Sequence, residues 1–153
     1  MTLSELLESD LIHLKIKCTS KDELILELLG QIYGTRRKPP FPSNEVLDKI
    51  KMREAIGGTL LPSGLSAPHA RLKDYDGFIL ALGTPVKPIF HDGIQVRLMS
   101  LMISSQSGGP HYLPALAALT KLSRDGEYFS RLCSAETLDD FFHFLRERDP
   151  ELA

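Results

Sequence analysis

Apolar residues recur at helical intervals in several parts of the chain. The most regular run follows Ser20 and ends at Gly34, with apolar positions at Leu24, Ile25, Leu28, Leu29 and Ile32. Ser20 and Glu23 have the spacing of a capping box, which favours a helix start at Ser20. Thr2 and Glu5 share that spacing, so a short first helix is predicted, with Leu3, Leu6 and Leu7 facing the core.

Further helices are predicted in the middle and at the end of the chain. After a proline-rich loop, Ser43 is expected to cap a helix that runs to about Glu54 and buries Val46, Leu47 and Ile50. Three helical segments then close the chain: Tyr112 to Leu122, Gly126 to Cys133 and Thr137 to Arg146. The last is expected to turn Leu138, Phe141, Phe142 and Leu145 inward.

Alternating or continuous apolar runs predict the strands. Leu11 to Lys17 alternates, which places Ile12, Leu14 and Ile16 on one face, with Leu11 and an exposed His13 on the other. Phe78 to Leu82 and Gln95 to Ser104 are predicted strands, and the second is apolar enough to be central and buried on both faces. Ile89 and Phe90 indicate a short edge strand, followed by a turn at His91-Asp92-Gly93.

Helices at both ends around a set of strands predict an α/β fold. We expect a single-domain α/β sandwich with a mixed central sheet flanked by helices. A length of 153 residues suits one domain with a real core, so residues 1–153 are taken as that domain.

Charge and cysteine content exclude several classes of protein. The net charge of −2 gives no basic field for a nucleic-acid backbone, and the short run Arg36-Arg37-Lys38 is expected to be a solvated loop. Cys18 and Cys133 have no metal or redox spacing and are expected to be reduced and buried. No apolar run approaches the ~20 residues of a membrane span, and the acidic N-terminus is unlike a signal peptide. A cytosolic protein without membrane insertion is expected.

His69 is the strongest candidate for chemistry. It lies in Ser66-Ala67-Pro68-His69-Ala70-Arg71, where the alternating Leu65 and Ala67 predict that a strand gives way to a loop at His69. Histidine can be neutral or charged near neutral pH. A strand-end histidine with Arg71 nearby suits acid-base work, metal ligation or phosphoryl acceptance. A hydrogen-bonded structural histidine is the alternative.

An ordered set of motifs resembles a known family. Arg53-Glu54, followed after a Gly/Thr-rich loop by Pro68-His69, is similar to the signature of phosphotransferase-system enzyme IIA of the fructose/mannitol/nitrogen-regulatory type. Lys21-Asp22-Glu23-Leu24 at a helix start, Pro88-Ile89 after a strand and His111 at a helix start follow in the family's order. The resemblance spans essentially the whole chain.

The resemblance implies a phosphohistidine relay through His69. The donor would be the histidine carrier HPr or its nitrogen-branch relative, and neither ATP, a cofactor nor a metal would be required. Arg53 matches the family's active-site arginine, which would clamp two phosphoryl oxygens, although it could instead only stabilise a helix C-terminus. His111 matches a second histidine that the family places beside the first, where it would donate a hydrogen bond to the phosphate and disfavour protonation of His69. It could also be only a helix-start residue.

The loop before His69 departs from the family's pattern. Gly58 stands where a serine is usual, and Leu60-Leu61-Pro62-Ser63 replaces a smaller, glycine-rich run. Thr59 keeps a hydroxyl there and is a candidate for phosphate contact. Arg71 is a second such candidate, with a surface ion pair as its alternative.

The sequence leaves three functions open. A sugar-transport carrier would pass phosphate to a cysteine of a IIB domain. A nitrogen-type regulator would change its protein targets with its phosphorylation state, and a free-standing chain of this length favours it slightly. A metal-dependent hydrolase could use His69, His91 and His111 with an aspartate such as Asp92, but no HExxH or paired-histidine spacing supports it.

Overall fold

A computed structural model describes residues 1–152. Its helices are α1 Leu3–Leu6, α2 Lys21–Tyr33, α3 Ser43–Ile56, α4 Tyr112–Ser123, α5 Gly126–Cys133 and α6 Leu138–Arg146, with a 3₁₀ turn at Ser9–Leu11. Its strands are β1 Ile12–Ile16, β2 Leu65–Ser66, β3 His69–Leu72, β4 Phe78–Pro85, β5 Ile89–His91, β6 Ile94–Val96 and β7 Leu98–Ser105.

The central sheet has five strands, and β7 lies inside it. The order is β1, β4 and β7, with both β2 and β3 paired to the far side of β7. β4 and β7 run antiparallel, whereas the other pairs are parallel, so the predicted mixed sheet is confirmed. β5 and β6 form a separate two-stranded hairpin that turns at Asp92 and Gly93, both with positive φ.

Apolar side chains cover both faces of this sheet. On one face Leu80 and Met102 pack with α1, α4, α5 and α6. On the other, Ile79 and Ile103 pack with α2 and α3. Helices therefore flank the sheet on both sides, and the predicted α/β sandwich is confirmed in its three-layer form.

Most predicted helix starts are confirmed, with two corrections. The side chains of Ser20 and Thr137 accept hydrogen bonds from backbone N–H groups three residues on. Ser43 does not cap α3; it is the first helical residue, and Pro42 occupies the N-cap position, where no side chain caps the helix. Leu138, predicted to face inward, is 37% exposed, because it is the first residue of α6 and its side chain tilts toward the N-terminus, beyond the turn that buries Phe141.

A backbone irregularity corrects the prediction for the first strand. Lys15 has φ of 58°, and the register of β1 against β4 shifts between His13 and Ile16. This bulge reverses the alternation, so Ile16 packs on the opposite face from Ile12. Leu11, predicted on the exposed face, is buried in the 3₁₀ turn.

The predicted strand Gln95 to Ser104 is divided at Arg97. The segment before Arg97 leaves the central sheet to pair with β5. The backbone N–H of Arg97 instead donates to the carbonyl of Gly64, and β7 begins only at Leu98. In residues 1–152 no helix has the length and apolar character that crossing a membrane requires.

Candidate functional site

His69 lies in an edge strand that is interrupted at Ala67 and Pro68. Leu65 pairs with Leu98 and His69 with Met102, so β2 and β3 keep one register along β7. Proline lacks the N–H that a ladder needs and is tolerated at such an edge. The prediction of a loop at His69 was therefore wrong, because the strand resumes there and continues to Leu72.

Two side chains hold the His69 ring. The Tyr112 ring stacks on it, with centroids 3.8 Å apart and planes at 15°. Nε2 of His69 lies 2.6 Å from the Ser104 hydroxyl oxygen, which is also 2.9 Å from the Ser105 carbonyl oxygen. The ring is thus fixed in orientation. Phosphorylation at Nε2 would require the Ser104 contact to break, whereas phosphorylation at Nδ1 would leave it in place.

The surroundings of His69 favour its neutral form. Only 5% of the residue is exposed. Burial lowers the pKa of His69 from its ordinary value near 6.5 to about 4, and the positive charges of Arg71 and Arg53 act in the same direction. The ring is therefore uncharged near neutral pH and has a lone pair on one nitrogen.

The exposed edge of His69 faces a cleft of about 350 Å³ between α3 and β3. Arg53 and Arg71 line this cleft together with Lys49, Met52 and Ile56. Arg71 lies two residues after His69 in β3, so alternation puts both side chains on the same side of the strand. The Arg53 Nη1 donates a 2.7 Å hydrogen bond to the carbonyl of Gly57, which ties it to the end of α3.

Thr59 belongs to a buried polar network. Its backbone N–H and its hydroxyl both donate to the Glu54 carboxylate, at 3.2 and 2.9 Å. Glu54 also pairs with the buried Lys21 ammonium at 3.4 Å. The Thr59 carbonyl in turn accepts from the N–H of Ala67 at 3.2 Å. The network therefore links α2, α3 and the segment before His69, and it occupies the Thr59 hydroxyl.

His111 and His91 lie in other surroundings. The His111 ring packs on Phe78, with centroids 5.7 Å apart, and Tyr112 is the residue whose ring stacks on His69. His91 ends β5 on the hairpin and lies 3.5 Å from the Asp92 carboxylate. Among residues 1–152, no three His, Cys, Asp or Glu side chains are grouped closely enough to hold a metal ion. The hydrolase hypothesis thus lacks a ligand set in the described part of the chain.

Sequence reasoning missed the residues that surround His69. Ser104 ends a predicted apolar strand that also contains Ser100, so the pattern does not distinguish the hydroxyl that contacts His69. The pattern places Tyr112 only at the start of a helix and does not pair its ring with His69. Lys21 and Glu54 entered through the resemblance, but their contact depends on tertiary packing that a sequence pattern does not contain.

Comparison with protein families gives one match over nearly the whole chain. Residues 5–148 match the model of the family described as "Phosphoenolpyruvate-dependent sugar phosphotransferase system, EIIA 2". The matched region contains the whole cleft around His69.

Individual relatives and structures agree with this match. The chain is 28% identical to a nitrogen regulatory protein of Bradyrhizobium diazoefficiens, over 95% of each chain. It is also 28% identical to the 2-O-alpha-mannosyl-D-glycerate-specific EIIABC component of Escherichia coli, covering 97% of this chain but only 23% of that protein. The crystal structure of IIA-Ntr from Neisseria meningitidis superposes with a TM-score of 0.74 at 22% identity, covering 94% of this chain and 98% of that one.

Proposed function

The chain belongs to the EIIA 2 family of the phosphotransferase system and is a phosphocarrier domain, and we propose that His69 is the residue that carries the phosphoryl group. The observation that supports this most is a buried histidine, neutral at pH 7, whose exposed edge opens on a cleft with two arginines. Phosphoryl transfer needs an aligned nucleophile and positive charge around the transferred oxygens. His69 supplies the first and the arginines supply the second.

In the proposed step, the lone pair of the His69 ring attacks the phosphorus atom of a phosphohistidine on the donor protein. The new N–P bond forms as the donor's N–P bond breaks, and the bonding electron pair returns to the donor's ring nitrogen. No water and no nucleotide are consumed. Because His69 is neutral near pH 7, no proton must leave its nucleophilic nitrogen before attack.

Arg53 and Arg71 are proposed to bind the phosphoryl oxygens. Both guanidinium groups remain charged at all physiological pH values and can donate in pairs to oxygen atoms. Arg53 is exposed and is anchored by one donor to Gly57, which leaves its remaining donors free for the cleft. We propose that Thr59 anchors the segment before His69 to Glu54 and does not contact the phosphoryl group directly.

The rim of the cleft is proposed to bind the donor protein. Met52 and Ile56 line the cleft one helical turn apart on α3 and are 68% and 83% exposed. Exposed apolar side chains that adjoin one another, as these two do, mark interaction surfaces, whereas single ones do not. Together with Lys49 and Arg53 they fit a partner that presents an apolar patch edged by acidic groups, and we propose an HPr-type carrier in the cytosol.

The donor and the carrier role are tested by phosphorylation in vitro. The purified chain is incubated with phosphoenolpyruvate, enzyme I and HPr, and in parallel with the nitrogen-branch enzyme and carrier. Intact mass should show acid-labile, base-stable phosphate in at least one mixture. Absence of label with both donors, in mixtures where the carriers themselves become phosphorylated, would contradict the proposal.

We propose the nitrogen-regulatory branch as the physiological context. Its support is the match to a nitrogen regulatory protein over 95% of each chain. The alternative, a sugar-transport IIA, is supported by the match to an EIIABC component. If the chain acts in the nitrogen-regulatory branch, its phosphorylated form should retain the label when it is mixed with fructose- and mannitol-type IIB domains. The set of proteins that it binds should also change with phosphorylation. Rapid transfer of label to a IIB cysteine would favour the sugar branch.

A further inference from the structure

A second polar cleft lies at the other end of the sheet from His69. It has a volume of about 190 Å³ and is bounded by β1, the end of β4, the segment before β7 and α5. We name it the Lys15–Arg97 cleft, after the two half-buried cations that line it together with the exposed Lys87. It shares no lining residue with the His69 cleft. Arg97 precedes β7 and Ser104 lies near its far end, so about 23 Å of strand separates them.

The cations of this cleft lack carboxylate partners. Within residues 1–152, neither Lys15, Lys87 nor Arg97 forms an ion pair, and no acidic side chain lines the cleft. The buried Lys21 does have such a partner in Glu54, whereas the half-buried Lys15 and Arg97 have none. Like charges that share a partly buried site are destabilising unless an anion joins them.

The backbone at Lys15 is held in an unusual conformation that belongs to this cleft. A lysine with φ of 58° is in the left-handed region that L-residues rarely adopt, at a cost of about 1–3 kcal/mol. Its N–H donates a 2.9 Å hydrogen bond to the buried hydroxyl of Thr84, which fixes the bulge. The bulge is what places a lysine among the lining residues of the cleft, in a strand that otherwise alternates.

The remaining lining groups are suited to phosphoryl oxygens. Arg97 Nη1 donates to the Ser130 hydroxyl at 3.1 Å, which anchors the guanidinium while its other donors stay available. Ser134 and Gln95 add polar atoms. Cys133 also lines the cleft, but it does not supply a negative charge to the two cations. Burial raises the pKa of this thiol to about 12 despite Arg97 and Lys15, so the thiol stays protonated.

We propose that the Lys15–Arg97 cleft binds a small phosphorylated metabolite, with the phosphoryl group between Lys15 and Arg97. Arginine and lysine together with hydroxyls are the side chains that proteins use for this group. The volume corresponds to about six water molecules, which suits a phosphoryl group with a short carbon chain and excludes a nucleotide-sized ligand.

The experiment is an amide chemical-shift titration of the full chain at constant ionic strength. The probes are glycerol 3-phosphate and inorganic phosphate, with glycerol and succinate as controls. Saturable shifts centred on Lys15, Arg97 and Ser130 are expected with both phosphates, with Kd of about 1 mM or tighter. Neither glycerol nor succinate should cause them.

Variants separate this cleft from the His69 cleft. Arg97→Gln and Lys15→Gln should each weaken binding at least about tenfold, the loss of one strong contact, whereas Arg53→Gln should leave Kd unchanged. The two variants change different elements of the fold. If one of them does not fold, the Kd of the other still tests the proposal. Shifts at Lys15, Arg97 and Ser130 that do not saturate, that follow succinate equally, or whose Kd is unchanged in both Arg97→Gln and Lys15→Gln would overturn the proposal.

Discussion

At the scale of residues, the chemistry of His69 is set by what covers it. Tyr112 stacks on one face of the ring, and Ser104 holds one nitrogen. Burial is the largest cause of the lowered pKa, ahead of Arg71 and Arg53. The ring is thereby kept neutral and oriented, and its exposed edge meets the two cations at the cleft.

Removing the stacked ring should raise the pKa of His69. In Tyr112→Ala the desolvation of the imidazole falls, so its pKa should move from about 4 towards 6.5. Tyr112→Phe keeps the ring and should leave the pKa where it is. The His69 ring proton resonances, followed by NMR between pH 3 and 8, measure this directly. Equal pKa values in the alanine and wild-type proteins would show that Tyr112 does not shield His69.

Charge and shape at Arg53 should both matter for transfer. Arg53→Lys retains the charge but loses the planar pair of donors, so phosphorylation of the chain should slow at least about tenfold, and Arg53→Gln should slow it about a hundredfold. Arg36→Gln, which neutralises an exposed arginine outside the cleft, serves as the matched control. Rates come from quenched-flow phosphorylation by the phosphorylated carrier. Equal rates for Arg53→Gln and Arg36→Gln would remove Arg53 from the proposed site.

At the scale of elements, amphipathic helices were predictable, whereas irregular strands were not. α2, α4 and α5 follow their apolar periodicity to within one residue at either end. β1 and the segment around Arg97 were mispredicted because a bulge and a change of sheet leave no trace in an alternation pattern. The strand before His69 was predicted from Leu65 and Ala67, but its continuation through His69 was missed because Pro68 divides it into two short pieces.

The buried pair between α2 and α3 should hold the segment that leads to His69. Glu54→Ala leaves the Lys21 ammonium buried without its partner and removes both Thr59 contacts, so the free energy of unfolding should fall by about 3 kcal/mol. Glu147→Ala, which breaks the exposed pair with Arg131, should cost less than about 1 kcal/mol. Urea unfolding measures both. Similar losses in the two variants would mean that the buried network does not stabilise this segment.

At the scale of the whole molecule, two basic clefts coexist with a net charge of −2. One lies at the edge strand beside α3, the other at the opposite end of β7 beside α5. The net charge of −2 excludes a basic field over the whole molecule. It cannot reveal a local basic cleft, because the cations of such a cleft come from residues distant in sequence. His69, Arg53 and Arg71 were selected through motifs, whereas Tyr112 and Ser104 could be placed beside them only by the fold.

Stability should depend on pH through His69 in a defined direction. In the unfolded chain the imidazole titrates near 6.5 and in the folded chain near 4, so between these values only the unfolded state gains the proton. The wild-type protein should therefore lose about 3 kcal/mol more than His69→Gln as the pH falls from 6.5 to 4. His13→Gln, at an exposed histidine, should follow the wild type. Parallel curves for wild type and His69→Gln would contradict the lowered pKa.

A pair of histidine variants decides whether His69 alone carries the phosphoryl group. His69→Ala and His143→Ala, the latter at an exposed position of α6, are each exposed to the phosphorylated donor, and the intact mass of the folded protein is recorded. We expect full acid-labile labelling of His143→Ala and none of His69→Ala, as the proposed role of His69 requires. Wild-type labelling of a folded His69→Ala protein would contradict it.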